Sequence, residues 1–384
     1  MDYTKQSFAF KLKKTIRYIR LYGLSRTIIK VKGQYHMKKQ YETLPEIPTK
    51  SNAEQHVGLL GCGNFGFSNI AYYLNKQYGK VLRASMDINI NRAASVFEEY
   101  KASYYTDDAQ KVINDPNINL LYIASNHASH AEYAIRVLEN NKSVHIEKPH
   151  AVSEDQLVRL CLAMQRSKGK VRLGFNRPNS KLGKLIKKQL EAEQGAAMLN
   201  WFVAGHEIEK EHWYFAPAEG GRVLGNLCHW TDLVYNMITG KKYPITIIPT
   251  RAEKSDCDIS VSYVFGEGSI ATITFSAKGH TFEGVRETLN AHKGNSLIEL
   301  KDFQKLRIDH IEEVKKKNLV RRDHGHRLAI INSYKMLQDS QLEESVEYVW
   351  NTGYLALKTK EALETNSTVV IDDFQNSFLL EKSK

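Results

Sequence analysis

Between residues 55 and 175, short apolar runs alternate with longer amphipathic ones. The runs at 56–60, 81–87, 102–105, 119–125, 143–147 and 170–175 suit buried strands, and the stretches between them have helical periodicity. This alternation predicts a parallel sheet with helices on both faces. After Phe175 the pattern changes. Strand-like runs now follow one another at 198–204, 245–250, 258–265, 269–276, 284–291 and 296–300. Ile259-Ser260-Val261-Ser262-Tyr263 and Ile270-Ala271-Thr272-Ile273-Thr274-Phe275 alternate residue by residue, as in a sheet with one face buried and one solvated. Gly266-Glu267-Gly268 and Lys293-Gly294-Asn295 suit antiparallel hairpins. Helices expected at 224–238, 325–338 and 344–363 close this second unit.

The first strand, Val57–Leu60, runs into Gly61-Cys62-Gly63-Asn64-Phe65-Gly66, a G-x-G-x-x-G turn. A helical segment, Ser68–Gln77, and a second strand, Val81–Met86, follow, and that strand ends on Asp87 about twenty positions past the last glycine. A dinucleotide-binding βαβ unit requires this order. Gly61 permits the sharp turn, Gly63 admits a pyrophosphate to backbone N–H groups, and Gly66 lets the helix pack close to the sheet. The helix start offers unpaired N–H groups and partial positive charge to phosphate. Asp87 can accept both ribose hydroxyls and would repel a 2′-phosphate, which favours NAD over NADP; Arg92 nearby works the other way. The fold expected is α/β, with an N-terminal Rossmann dinucleotide-binding domain and a C-terminal α+β domain with an open, mostly antiparallel sheet. The divisions expected are 1–53, 54–175 and 176–384.

The net charge of the 384 residues is +11. Eleven Lys and Arg in residues 1–40 stand against Asp2 alone, so all but one unit of that charge belongs to an appendage. The rest gives no sign of a nucleic-acid-binding body. Residues 7–22 carry a helical stripe of Phe8, Leu12, Ile16 and Ile19 opposite Lys13, Arg17 and Arg20; a second apolar-basic run, Leu24–Lys32, follows, and Pro45 and Pro48 mark a linker. The segment reads either as lying on an anionic membrane surface or as packing on the body or another subunit. Being outside the βαβ unit, it is expected to be dispensable for cofactor binding. No apolar run is long enough to span a bilayer and the start is not a secretory signal, so a cytoplasmic location is expected. The four cysteines, Cys62, Cys161, Cys228 and Cys257, read as reduced thiols, and no metal motif occurs.

Two loops open at the carboxyl ends of strands, the edge where such sheets bind ligands. They are Ser125-Asn126-His127 and Glu147-Lys148-Pro149. The proline holds Lys148 extended, aiming its ammonium across the strand ends. His229 lies in the helical stretch after Gly220-Gly221-Arg222, three positions before Asp232, and a histidine near a carboxylate can serve as a general base. His206, His212 and Trp213 offer imidazoles and an aromatic face for a sugar ring. Asn176, Arg177 and Arg222 could hold hydroxyls or a phosphate. His324 and His326 read as a helix start.

These residues together resemble the Gfo/Idh/MocA oxidoreductases over roughly residues 55–375. The resemblance rests on the glycine turn with Asp87, on Ser125-Asn126-His127 with His130, and on Glu147-Lys148-Pro149. It continues in Gly174-Phe175-Asn176-Arg177 and in Gly220-Gly221-Arg222 through His229 and Asp232. The run Gly225–His229 looks like members linked to surface-polysaccharide synthesis, which carry Glu where this chain has Asn226; many other members have Asp where it has Gly225. The resemblance implies NAD(P)-dependent chemistry at a sugar or cyclitol carbon and a homodimer or homotetramer formed through the open sheet. Lys148 and His229 would then be catalytic. The cofactor would meet Gly61, Gly63, Asn64, Phe65, Gly66, Asp87, Arg92, Ser125, Asn126, His127, His130, Glu147, Lys148 and Asn176. The substrate would meet Lys148, Asn176, Arg177, His206, His212, Trp213, Arg222, His229 and Asp232. The leading expectation is an NAD-dependent sugar dehydrogenase of glycan synthesis acting on a nucleotide-linked or otherwise anionic sugar. The alternatives are a free-sugar or inositol-type dehydrogenase, a redox-neutral epimerase or glycosidase, and a non-catalytic NAD-binding regulator.

Overall fold

The first sheet contains β1 (Val57–Leu60), β2 (Leu82–Met86), β3 (Tyr104–Thr106), β4 (Leu120–Ile123), β5 (Ser143–Ile146) and β6 (Val171–Leu173). All pairs are parallel and the order is β3-β2-β1-β4-β5-β6, the doubly wound arrangement. The computed structural model describes residues 5–48, 54–205, 208, 211–251, 258–276 and 283–382. Ahead of the sheet stand α1 (Phe8–Tyr22) and α2 (Leu24–His36). Between its strands lie α3 (Tyr72–Tyr78, entered through a π-helical stretch at Gly66–Ala71), α4 (Ile90–Tyr100), α5 (Ala109–Asn114), α6 (His127–Glu139) and α7 (Glu154–Arg166). Successive strand residues face opposite sides, so Leu59 joins Ile70, Leu74 and Val96 in one core layer while Leu60 joins Val112, Val137 and Leu160 in the other. Both layers are made mostly of buried apolar side chains, which is why the strands read as unbroken apolar runs.

The second unit begins with α8 (Lys181–Ala192) and β7 (Ala197–Ala204) and continues through a π-helical stretch at Val223–Leu227 into α9 (Cys228–Met237). Strands β8 (Ile245–Arg251), β9 (Asp258–Phe265), β10 (Ile270–Ser276), β11 (Arg286–Lys293), β12 (Ser296–Lys301), β13 (Lys305–His310) and β14 (Glu313–Asn318) follow. The chain ends with α10 (His326–Lys335), α11 (Val346–Thr365), β15 (Val369–Ile371) and α12 (Phe374–Lys382). The strands make one nine-stranded sheet, β14-β13-β12-β11-β7-β10-β9-β8-β15, in which only β7 and β10 pair in parallel. Its inner face buries Trp201, Val203, Val261, Tyr263, Ile273 and Phe275. The expected fold class is therefore the observed one. Three strands were not foreseen: β15 is three residues long, β14 is exposed throughout behind a lysine run, and β13 buries only Leu306 and Ile308.

The arm packs on its own chain. Leu21, Thr27, Ile29 and His36 are buried, and Ile29 shares the core layer of α3 and α4. Beyond α2 the chain passes α4, where Tyr41 N donates to Asn91 Oδ1 at 3.0 Å, and reaches the edge strand, where Tyr105 donates to the Pro45 carbonyl at 2.7 Å.

A buried carboxylate ties together the second unit behind the site. Glu287 on β11 accepts from Arg177 Nε at 2.7 Å and from Trp230 Nε1 at 2.9 Å, and the Arg177 guanidinium lies 4.1 Å from the Trp230 ring centre. Burial opposes the charge on Glu287, but Arg177 and His324 hold its carboxyl down at about 2. Such a group contributes stability above its unfolded pKa, and the contribution is lost as pH falls through the folded value. Removing one member of a buried pair leaves the other charged and desolvated. Glu287→Ala is thus expected to cost about 3–5 kcal/mol of unfolding free energy, read by denaturant titration; a loss below about 1 kcal/mol would show that the pair does not hold this part of the fold together.

Candidate functional site

The glycine turn has the shape a dinucleotide needs. Gly61 has φ +95°, and a Cβ there would lie 2.4 Å from the Ala124 carbonyl carbon. A Cβ on Gly66 would lie 2.4 Å from Gly61 O, so only glycine lets the helix close on the turn. A Cβ on Gly63 would meet nothing within 4 Å: the cradle is open on that side, at the helix start formed by Asn64 and Phe65. Asp87 ends β2, its Oδ2 accepting from Cys62 N at 2.8 Å and its Oδ1 from Asn89 N at 2.9 Å. These bonds fix the carboxylate and leave each oxygen a further lone pair. Arg92 is close by, with Nε buried and lacking a partner among the described residues. Ile88, next to Asp87, is an apolar side chain left 85% exposed. The residues present therefore fit NAD.

Lys148, at the end of β5, crosses to the second unit. Its Nζ donates to the Gly225 carbonyl at 2.6 Å and stands 5.9 Å from the Tyr214 ring centre. Burial opposes its charge, but Tyr214, Cys228 and Glu147 more than offset that and hold its pKa above the ordinary lysine value. It is an ammonium at neutral pH. Gly225 is one turn ahead of His229, so the cation and the imidazole share one stretch of helix. A Cβ at Gly225 would lie 2.8 Å from the Tyr214 ring and 2.9 Å from His127 Cε1, so the ring wall fills the space where a side chain would go. His229 has its Nδ1 buried without a partner among the described residues, and burial, then Arg177 and Lys148, push its pKa well below the ordinary value. It is a neutral imidazole. Asn176 Oδ1 and Asn226 Oδ1 are likewise buried without partners among the described residues.

The other predicted residues divide into those that face this space and those that shape it. Asn126 precedes α6 and donates to Glu219 Oε1 at 2.7 Å. His127 Nδ1 donates to the Glu219 carbonyl at 2.9 Å, and its ring lies 4.6 Å from both Trp213 and Tyr214. Burial first, then Lys148, push it down to about 2. Ser125 is bonded to Ser129, and His130 Nδ1 donates to the Pro149 carbonyl at 2.8 Å, tying α6 to the loop that carries Lys148. Glu147 accepts from His145 at 3.1 Å, and a Cβ on Gly174 would lie 2.6 Å from its carboxyl carbon. Asn176 donates to the His324 carbonyl at 2.6 Å. His212 accepts from Tyr214 N, Trp213 is exposed, and Arg222 is buried. His206 lies outside the described residues.

Two assignments need correction. Arg177, expected on the substrate, has its guanidinium committed to Glu287 and Trp230 inside the fold. Asp232, expected beside His229, accepts from Tyr348 on α11 at 2.7 Å, and burial raises its carboxyl to about 8. Residues three apart on a helix still diverge by about 60°, which turns Asp232 into the α9–α11 seam. Sequence reasoning missed Glu219, whose carboxylate and carbonyl clasp Asn126, Ala128 and His127. It sits in a loop with no periodicity to mark it. Tyr214 was overlooked for the adjacent Trp213. Among the described residues no group of three or more His, Cys, Asp or Glu could hold a metal.

The sequence of residues 55–175 matches the GFO_IDH_MocA oxidoreductase family, NAD-binding Rossmann fold. The uncharacterized oxidoreductase YrbE of Bacillus subtilis (strain 168) is 24% identical over 56% of this chain and 65% of its own. An inositol 2-dehydrogenase of Salmonella typhimurium is 32% identical over 31% of this chain and 36% of its own. The matched stretches thus cover less than two thirds of these relatives. The fold is like that of a levoglucosan dehydrogenase solved with NADH and levoglucosan, with a TM-score of 0.71 at 16% identity over 83% of this chain and 99% of that one. Residues 55–175, which hold the parallel sheet, the glycine turn and the Glu147-Lys148-Pro149 strand end, thus match the NAD-binding Rossmann domain of the Gfo/Idh/MocA oxidoreductase family.

Proposed function

We propose that this chain is an NAD-dependent oxidoreductase that moves a hydride between nicotinamide and a carbinol carbon of a sugar. The substrate class proposed is a nucleotide-linked or otherwise anionic sugar of surface-polysaccharide or other glycan synthesis, in keeping with the Gly225–His229 run. One observation carries the reading: the Lys148 ammonium reaches the carbonyl one turn ahead of the neutral, partner-lacking His229 imidazole, at the carboxyl edge of a dinucleotide-binding sheet. Unsatisfied oxygens on Asn176 and Asn226 suit sugar hydroxyls or a carboxamide, and Trp213 and Tyr214 offer a stacking face.

Nicotinamide, when bound, supplies the hydride acceptor or donor. The protein handles the proton and the charge. His229 takes the hydroxyl proton on oxidation and returns it on reduction. Lys148 donates to the same oxygen and stabilises its alkoxide character in the transition state, its charge kept by Glu147 and the Gly225 carbonyl. The low pKa of free His229 reflects the cations around it, so an anionic substrate would raise it toward neutrality.

A redox-neutral reading, with NAD kept through the cycle, is favoured by α2 lying over the glycine turn. The exposed Phe8, Leu12 and Ile16 beside Lys13 suit an anionic membrane surface at the cytoplasmic side, and exposed Met198, Phe202 and Leu297 on the outer sheet face suit a homodimer or homotetramer. Among the described residues no helix is long and apolar enough to cross a membrane.

Lys148→Met and His229→Ala are each expected to lower kcat about 100-fold or more while NAD still binds, followed at 340 nm with a sugar panel. Near-normal turnover in both would end the assignment. Net NADH formation supports the dehydrogenase, product without net NADH the redox-neutral reading, and binding without conversion a regulator. Asp87→Ser should shift the ratio of NADP to NAD affinity toward NADP by about tenfold or more, measured by equilibrium binding; an unchanged ratio would remove Asp87 from the ribose site. Co-sedimentation with anionic vesicles that is lost in high salt, and light scattering above monomer mass, are the expected results for the two surfaces.

A further inference from the structure

The arm meets the body at the glycine turn itself. Helix α2 passes so close that a Cβ on Gly33 would lie 3.2 Å from Asn64 Nδ2 and 3.3 Å from Ser68 Cβ. At its end, His36 donates from Nε2 to the Cys62 carbonyl at 2.7 Å, accepts at Nδ1 from Ser95 Oγ, and stacks on Phe67 with ring centres 4.2 Å apart. Earlier in α2, Arg26 donates to the Ser68 carbonyl and the Asn69 side-chain oxygen, and Lys30 Nζ donates to Asn64 Oδ1 at 3.0 Å.

The ion pairs of the arm fall into a pattern. Arg17 ends on Glu283, Lys32 on Glu99 at 2.7 Å and Lys39 on Glu98 at 2.6 Å. The two cations aimed at the glycine turn donate to neutral oxygens, Arg26 also lying over the Tyr72 and Tyr73 rings, and among the described residues no carboxylate is within ion-pair distance of either. Lys30 is half-buried along its length, with its ammonium end densely surrounded; burial, and Arg26 next, push its pKa down to about 8. A desolvated cation without a counter-ion is costly, and its nearest neighbour, Asn64, begins the helix whose N–H groups address the cofactor phosphates. We infer that Lys30 is a ligand of the cofactor pyrophosphate, carried on an N-terminal arm that closes the dinucleotide site from outside the Rossmann domain, with Arg26 holding the arm in place. This rests on the reading of the glycine turn as a dinucleotide site, and it reverses the expectation that the arm is dispensable for cofactor binding.

The experiment is isothermal titration of the full chain, its Lys30→Met and its Lys30→Arg variants with NAD, ADP-ribose and adenosine at pH 8, in two buffers of different ionisation enthalpy. Lys30→Met is expected to weaken NAD and ADP-ribose on the order of tenfold and leave adenosine unchanged, with Lys30→Arg recovering most of the loss. Phosphate binding would raise the Lys30 pKa, so the unaltered chain should take up a fraction of a proton with NAD, and Lys30→Met should not. Unchanged NAD affinity in a folded Lys30→Met, an equal loss for adenosine, or proton uptake that survives the substitution would each overturn the inference while leaving the cofactor reading intact. Failure of the unaltered chain to bind NAD would overturn both.

Discussion

A partly buried cation at the end of β5 is the constraint around which the site is arranged. Lys148 keeps its charge there only because dipoles and one carboxylate meet it: the Gly225 carbonyl, the Tyr214 phenol and Glu147. Each comes with its own requirement. Glu147 is pinned by His145 and crowded by Gly174; Gly225 must lack a side chain because Tyr214 and His127 occupy its place; His127 is held by Glu219. The supports of this ammonium thus come from both units. At Gly225 the lysine takes a main-chain carbonyl, and the volume a side chain would fill goes to an aromatic ring.

The first sheet was legible because burial on both faces writes unbroken apolar runs, and because the glycine turn is constrained by contacts no other residue survives. Gly61 and Gly66 would each strike backbone at 2.4 Å. The second sheet was legible where one face is dry, as in β9 and β10, and illegible at its margins. Strand β14 has both faces wet, so its only signature is pairing with β13, a property no single segment carries. In the site, strand-end residues were found by position. Side chains whose partners come from distant elements were not: Asp232 belongs to Tyr348 and Arg177 to Glu287, each separated by more than a hundred residues.

The arm shows the same limit more sharply. Its visible stripe, Phe8, Leu12 and Ile16, suggested the packing face, yet those side chains are 80%, 48% and 43% exposed. The part of the arm that meets the glycine turn is built from Arg26, Lys30, Gly33 and His36, polar or side-chain-free residues that hydropathy counts as solvent-facing. Hydrophobic periodicity locates a face that water avoids; it is silent about a face that mates through hydrogen bonds to exposed carbonyls at a turn.

Magnitudes then decide where the arm is fastened. Lys39–Glu98 is largely solvated and Lys32–Glu99 partly so, and solvated pairs contribute about 0–1 kcal/mol each. Burying Ile29 contributes on the order of 2 kcal/mol, and the stacked His36 adds charge-free hydrogen bonds inside the protein at Cys62 and Ser95. Of these holds the strongest are therefore Ile29 and His36 on α2, between the glycine turn and α4, and the solvated ion pairs add little. Burial also lowers the pKa of His36, so its ring stays neutral and both of its bonds persist through the physiological range. An arm anchored in this way cannot shift without disturbing the Cys62 carbonyl, whose own amide holds Asp87. The glycine turn and Asp87 are consequently braced from a segment that stands before the Rossmann domain in sequence and outside it in space.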